Sequence, residues 1–401
     1  MACRTALRRD ESGAGCLELA EVLQAALSAP NATFRLPPHH WKTLNALLGC
    51  RTERLGGHLY RCRDCGREHF VPHSCRNRHC PRCQGAQAIS WLERQTESLL
   101  PIPYYHLVFT LPHVLNPLIR QNQRALYKLL FEAASATLLE FGRRRYQAEI
   151  GVTAVLHTWS QTLADHYHLH CLVTGGGLRG DGWERASEHY LFAVKALSKV
   201  FRAKYRDGLK KLHDTGKLSF HGLLKTLENK EEFAQFLCSA CAAPWVVYAK
   251  KPFAGPQAVL SYLSRYTHRV AIGNSRLLGL DWSAGRVSFR YKDYADQGRR
   301  KRMTLDLPEF LRRFALHILP ERFVKIRHYG LLGNRHRAAK VAAARIRLGV
   351  AGVCGSAQNQ PRAPLAPAPN PIRCPGCGSL HLILVERRER CSAQARRADT
   401  S

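Results

Sequence analysis

The chain has 401 residues, enough for two or three domains with a real core, and 45% of them are hydrophobic, which excludes wholesale disorder. Sixty-one Lys and Arg face 30 Asp and Glu, a formal net charge of +31. So large an excess repels itself unless a polyanion is present, which points to nucleic acid rather than a neutral solvated surface.

No apolar run approaches the ~20 residues of a membrane span. Met1 to Asp10 is basic with no apolar stretch after it, so no secretory leader is expected. The 15 cysteines are clustered, several in Cys-x-x-Cys pairs. In a basic chain without a leader, that pattern favours metal binding over disulfides.

Four regions follow in chain order. Residues 1–49 read as a partly helical lead-in: Glu18 to Leu27 has helical apolar spacing, and Pro37-Pro38 breaks the chain after it. Residues 50–95 are dense in Cys, His and Arg and read as a zinc-binding domain. Residues 101–350 alternate strands and helices and read as the main domain. Residues 351–401 read as a Pro-rich linker and a tail with one more Cys-x-x-Cys. Within the main domain, Tyr105 to Leu111 predicts a buried strand ending at Pro112, and Gln123 to Phe141 a helix. Val152 to Trp159 and His168 to Thr174 predict two strands, the second ended by Gly175-Gly-Gly177. Tyr190 to Lys211 and Val259 to Tyr266 predict helices, and Arg286 to Tyr291 a strand.

Cys62-Arg-Asp-Cys65 and Cys80-Pro-Arg-Cys83 are two knuckles whose four thiolates can close a tetrahedron around one structural zinc. Cys50, His58, His73, Cys75 and His79 lie close by, and the sequence does not decide whether they supply a second site or substitute for a ligand. Arg63, Arg67, Arg76, Arg78 and Arg82 stud this segment, which suits phosphate contacts. Cys374-Pro-Gly-Cys377 is a lone knuckle, with His381 and Cys391 downstream, and a candidate for a second zinc. Cys238-Ser-Ala-Cys241 lies in an apolar stretch and reads as core packing.

His168-Leu169-His170 sits on a predicted strand. Residues two apart on a strand face the same side, so both imidazoles point one way while Leu169 packs the other. Two such imidazoles can hold a divalent ion and leave positions open for phosphate oxygens. His157, on the adjoining strand, can face the same site if the two strands form a hairpin. Gln161, Asp165 and His166 compete as third ligand. Tyr262 and Tyr266 lie one turn apart on a predicted helix, with Arg265, His268 and Arg269 beside them. A phenol, with pKa near ~10, is a weak nucleophile unless a neighbouring cation or base favours the phenolate. The bland reading is an aromatic stripe packing a core. The histidines and the charge together favour a nucleophile.

These blocks, in this order, resemble the rolling-circle insertion-sequence transposases, a branch of the HUH nuclease superfamily. The resemblance spans about Cys50 to Arg347. It rests on the cysteine segment (Arg61 to Gly66 and Ser74 to Cys83) and on Leu156 to Gln161 followed by His168-Leu-His170. It also rests on Tyr262-Leu-Ser-Arg-Tyr266 with its continuation to Ile272, and on Phe323 to Gly330. It implies an α+β fold: a ferredoxin-like HUH core with an antiparallel sheet and flanking helices, preceded by a small zinc-ribbon-like domain. It implies Mg²⁺ or Mn²⁺ on His168, His170 and a third ligand, with Tyr262 or Tyr266 attacking a phosphate of single-stranded DNA to leave a 5′-phosphotyrosine. Arg265 and Arg269 would steady the phosphate, and the Arg299 to Arg302 cluster, with Arg300 and Arg302, would track the backbone. The expected partners are single-stranded DNA at the element ends and target, together with the replication machinery. The expected location is the cytoplasm, at the nucleoid. Three rivals stand beside this reading: a non-catalytic zinc DNA-binding protein, a replication initiator or relaxase with the same chemistry, and a zinc hydrolase using the histidines.

Overall fold

The protein is described here from a computed structural model, for residues 17–29, 33–96, 99–180, 182–187, 191–253, 258–259, 270–350 and 372–390. Its strands are β1 (Gly57–Cys62), β2 (Glu68–Pro72), β3 (Tyr104–Thr110), β4 (Glu149–Trp159), β5 (Asp165–Arg179) and β6 (Gly182–Arg185), followed by β7 (Val247–Phe253), β8 (Leu277–Asp281), β9 (Arg286–Asp293), β10 (Arg299–Asp306), β11 (Ile326–Gly330) and β12 (Leu382–Arg388). They form three sheets. The largest has the order β11-β4-β5-β3-β7, with β6 hydrogen-bonded to β5. Every pair in it is antiparallel. The fold is therefore α+β with antiparallel sheets, as expected.

The central sheet is two-faced because β5 alternates. Leu169, Cys171 and Val173 point into the main core with Leu107 and Phe109 of β3 and Ala154 and Leu156 of β4. The helix Gln123–Tyr146 covers that side, placing Leu126, Tyr127, Leu130, Phe131, Ala134 and Leu138 at three- and four-residue spacing against the sheet. Each such large side chain contributes ~1.5–3 kcal/mol when fully buried. Arg143, Arg144 and Arg145 occupy its last turn, where cations suit the helix dipole, and left-handed Gln147 (φ 49°) ends it. On the opposite face, Leu172 and Tyr104 form a smaller cluster with Trp91, Leu331, Leu332, Val341 and Val259.

Three expectations are corrected. Gly175 to Gly177 do not end the second strand, since β5 runs through them to Arg179. The strands approach too closely there for side chains: a Cβ on Gly177 would lie 2.6 Å from the Glu149 carbonyl oxygen, and one on Gly175 2.7 Å from that of Pro103. Pro38 does not break the chain but opens the helix Pro38–Leu48, where a missing N–H is tolerated. Cys238 is exposed rather than packed in the core, although Cys241 does pack against it.

The lead-in is not an appendage. Leu19, Val22, Leu23 and Ala26 of the helix Leu19–Leu27 share one buried cluster with Val287 and Phe289 of β9, with Phe310 and Phe314 of the helix Leu307–Leu316, and with Cys50, Cys80 and Cys83. The cysteines thus sit in apolar surroundings that the neighbouring arginines in the sequence do not suggest. Among the described residues no helix is long and apolar enough to cross a membrane.

Candidate metal centre, zinc module and nucleic-acid face

The β4–β5 hairpin places His157 directly opposite His168 and Val155 opposite His170. With the side chains alternating, His157, His168 and His170 share the face away from the main core. Their ligating nitrogens all lie within 4.8 Å of one another. His168 Nδ1 is 2.9 Å from the backbone oxygen of His166, so Nδ1 carries the proton and Nε2 the lone pair. The Nε2 atoms of His168 and His170 stand 3.1 Å apart. Two nitrogens bound at ~2.1 Å in neighbouring octahedral positions of a small divalent ion stand about 3 Å apart, so the spacing fits such an ion. Trp159 stacks on His157 with centroids 4.8 Å apart and walls one side.

A further histidine, not singled out from sequence, completes this group. His106 of β3 is buried, and its Nε2 lies 2.9 Å from His170 Nδ1. Burial pushes its pKa down to about 4, with a smaller contribution from the Lys250 ammonium, so the ring is neutral near pH 7 and able to accept. A proton on His170 Nδ1 donated to His106 leaves two Nε2 lone pairs facing each other, an arrangement that a cation between them resolves. Of the competing third ligands, His166 turns to His113, Nδ1 to Nε2 at 3.3 Å, and Asp165 pairs with Arg120. Tyr262, Arg265, Tyr266 and Arg269 lie outside the described residues.

The cysteines regroup. Cys62, Cys65, Cys80 and Cys83 do not converge on one point. Cys80 and Cys83 meet Cys50 and Cys75, whereas Cys62 and Cys65 meet Cys374 and Cys377. The physical reason is local. Cys80-Pro-Arg-Cys83 runs straight into the helix Pro81–Thr96, and the Cys83 and Gln84 amides donate to the Cys80 carbonyl at 3.1 Å. Cys62-Arg-Asp-Cys65 is instead the turn between β1 and β2 and points elsewhere. In the first group the sulfur separations are 3.6 Å for Cys50 and Cys83, 3.7 Å for Cys75 and Cys83, and 3.5 Å for Cys50 and Cys80. Four sulfurs at ~2.3 Å from a tetrahedral zinc stand about 3.8 Å apart, whereas a disulfide needs about 2.05 Å.

The sheet β10-β9-β8 carries the basic cluster. Arg302 lies opposite Arg290, and Arg300 opposite Lys292. All four are exposed. Like charges directly opposite across strands are destabilising, so this face is built at a cost that a polyanion would relieve. Arg302 also donates to the Ser288 hydroxyl at 2.9 Å. Lys301, on the other face, is neutralised by Asp293 at 2.8 Å and Asp296 at 2.9 Å. A groove of about 380 Å³ lies beside this sheet, lined in part by Gln161, Arg276, Arg290, Tyr291, Tyr294 and Arg300. Arg276 also bonds the Gln161 carbonyl and so ties the groove to the turn that follows Trp159.

Known proteins resemble this chain in sequence. A family model described as "Putative transposase" matches residues 151–340, which include His157, His168, His170 and the basic sheet. A second, described as "Transposase zinc-binding domain", matches residues 22–111. The chain is 42% identical over 369 residues to "Putative transposase y4qJ" of Sinorhizobium fredii, covering 90% of this chain and 92% of that protein. It is 30% identical over 297 residues to the "Transposase for insertion sequence element IS801" of Pseudomonas savastanoi pv. phaseolicola, covering 73% of this chain and 70% of that protein. No solved structure matches. The chain belongs to the insertion-sequence transposases of the IS91 and IS801 kind, DNA-processing enzymes with an N-terminal zinc-binding domain. Structural zinc follows from that domain, within which Cys50, Cys75, Cys80 and Cys83 converge.

Proposed function

We propose that this transposase nicks and rejoins single-stranded DNA by tyrosine attack at a metal-held phosphate, in rolling-circle transposition. The observation that carries the reading is the convergence of His157, His168 and His170 on one face of the central sheet. We read that sheet and its helices as a ferredoxin-like HUH core, with residues 101–350 as the catalytic domain. The three histidines would hold Mg²⁺ or Mn²⁺, and an ion there supplies charge that polarises a non-bridging phosphate oxygen.

The chain's own residues do the rest. Tyr262 or Tyr266 attacks the scissile phosphorus. The phenolic proton passes to solvent as the Tyr–phosphorus bond forms, the bond to the 3′ oxygen breaks, and that oxygen takes a proton from solvent, leaving a 5′-phosphotyrosine and a free 3′-hydroxyl. Arg265 and Arg269 steady the phosphate charge during attack. A second phenol allows a second transfer without losing the first covalent link, and the 3′-hydroxyl is available to the replication machinery. Val259 stands three positions before Tyr262 in the sequence. It is fully buried in the cluster that holds Leu172, two residues from His170 on the histidine face. Arg290, Lys292, Arg300 and Arg302 bind phosphates, while Tyr291 and Tyr294 offer rings on which unpaired bases stack.

The test is incubation with single-stranded oligonucleotides of the element ends and Mn²⁺, followed by a denaturing gel. The full chain yields a slower, covalent protein–DNA species, and a Tyr262→Phe/Tyr266→Phe double variant yields none. An adduct that survives in the double variant, or in His168→Ala/His170→Ala, refutes the assignment.

A further inference from the structure

We propose that a second structural zinc, bound by Cys62, Cys65, Cys374 and Cys377, fastens the C-terminal tail to the N-terminal module. The matched zinc-binding domain stops at residue 111 and contains only half of these ligands. Cys62 Sγ lies 3.6 Å from Cys377 Sγ, and Cys65 Sγ 3.5 Å from Cys374 Sγ. These separations are far too long for disulfides and close to the ~3.8 Å edge of a zinc–thiolate tetrahedron. All-thiolate tetrahedra select zinc or iron, and a chain whose matched domain already takes zinc makes zinc the choice here.

The two knuckles are built alike. In each, the second cysteine is followed by a glycine in the left-handed region, Gly66 at φ 70° and Gly378 at φ 75°. The amide of that glycine donates to the carbonyl of the first cysteine, Gly66 to Cys62 at 3.0 Å and Gly378 to Cys374 at 2.8 Å. In each, the first cysteine's amide donates to a carbonyl five residues on, Cys62 to Arg67 at 2.9 Å and Cys374 to Ser379 at 2.8 Å. Two matched turns presenting four sulfurs to one point form a closed site with no position left for substrate, which is the structural kind.

The backbone around the site is continuous with it. β12 pairs antiparallel with β1, Cys62 standing opposite Leu382 and Gly57 opposite Arg388, so the tail supplies the third strand of the β12-β1-β2 sheet. The Arg63 amide donates to the His381 carbonyl at 2.8 Å. A Cβ on Gly376 would lie 2.8 Å from the Arg67 side chain, so the two turns are packed against each other. Yet β12 buries little: Ile383, Leu384 and Val385 are all exposed. A strand with so little buried apolar surface needs another source of stability, and a closed metal site provides one.

The test is the zinc content of the purified full-length chain and three double variants by elemental mass spectrometry. Cys374→Ser/Cys377→Ser is expected to lose one zinc per chain relative to the wild type and keep the rest. Cys50→Ser/Cys75→Ser loses a different one, and Cys238→Ser/Cys241→Ser loses none. If Cys374→Ser/Cys377→Ser retains the wild-type zinc content, the tail contributes no ligands and the proposal is overturned. As a second measurement, a protease site placed between residues 351 and 371 would separate the tail. The cut tail should co-elute with the body until a chelator is added. A tail that leaves while zinc is still bound also overturns the proposal.

Discussion

His106 illustrates how one histidine can orient another. Its neutral ring lies 2.9 Å from His170 Nδ1, and under the proposed metal binding it would set which nitrogen of His170 faces the ion. Replacement of His106 by Leu removes the acceptor while keeping the side chain apolar and buried. Losses of such supporting partners commonly cost 10- to 100-fold in metal affinity. The half-saturating Mn²⁺ concentration for nicking should therefore rise by about that factor, with activity at saturating Mn²⁺ largely restored. An unchanged metal requirement shows that the ring only fills space. The sequence displayed the His168 and His170 pair because strand alternation puts residues two apart on one side. It could not display His106, a lone histidine in an apolar strand whose relation to His170 arises only when β3 pairs with β5. Nor did it show which knuckles meet. Spacing along a chain says how two thiolates share a turn, not which turns share an ion. The Cys-x-x-Cys-Gly form common to Cys62–Gly66 and Cys374–Gly378, and absent after Cys83, was the available signal.

Among the elements, the β9–β10 hairpin is the one we propose to grip the DNA backbone. Its four exposed cations stand in two like-charged cross-strand pairs. Changing Arg290, Lys292, Arg300 and Arg302 to Gln removes that repulsion and the grip on phosphates together. Binding to an oligonucleotide, measured over a range of salt, should weaken. The slope of log affinity against log salt should flatten by about 0.7 for each phosphate no longer neutralised. The folded hairpin should be no less stable by thermal melting. If the slope is unaltered, the backbone runs elsewhere. The strands and long helices of the central domain were legible because their apolar periodicity is strong. The full length of β5 was not, because Gly175 to Gly177 look like punctuation until neighbouring strands crowd them.

At the scale of the whole molecule, two buried histidines, His40 and His317, and the half-buried His328 share one electrostatic condition. His40, His317 and His328 each have their pKa lowered from 6.5 to about 4, chiefly by burial. A depressed value means the unfolded chain takes up protons first as the pH falls. Stability from these groups is therefore complete above pH ~6.5 and lost progressively between there and pH ~4, at up to ~1.4 kcal/mol per pH unit for each. Urea midpoints measured across that range should fall with acidification, and His317→Gln should make the decline shallower. A midpoint that rises on acidification contradicts the assignment.

The partnership of β1 with β12 also orders events during synthesis. The cysteines at 50, 75, 80 and 83 leave the ribosome early and can close around an ion while most of the chain is still being made. The strand beside them must wait for residues 382–388 before it gains its other neighbour. A message cut short just ahead of those codons would thus yield a polypeptide with its histidines in place and its amino-terminal sheet one strand short.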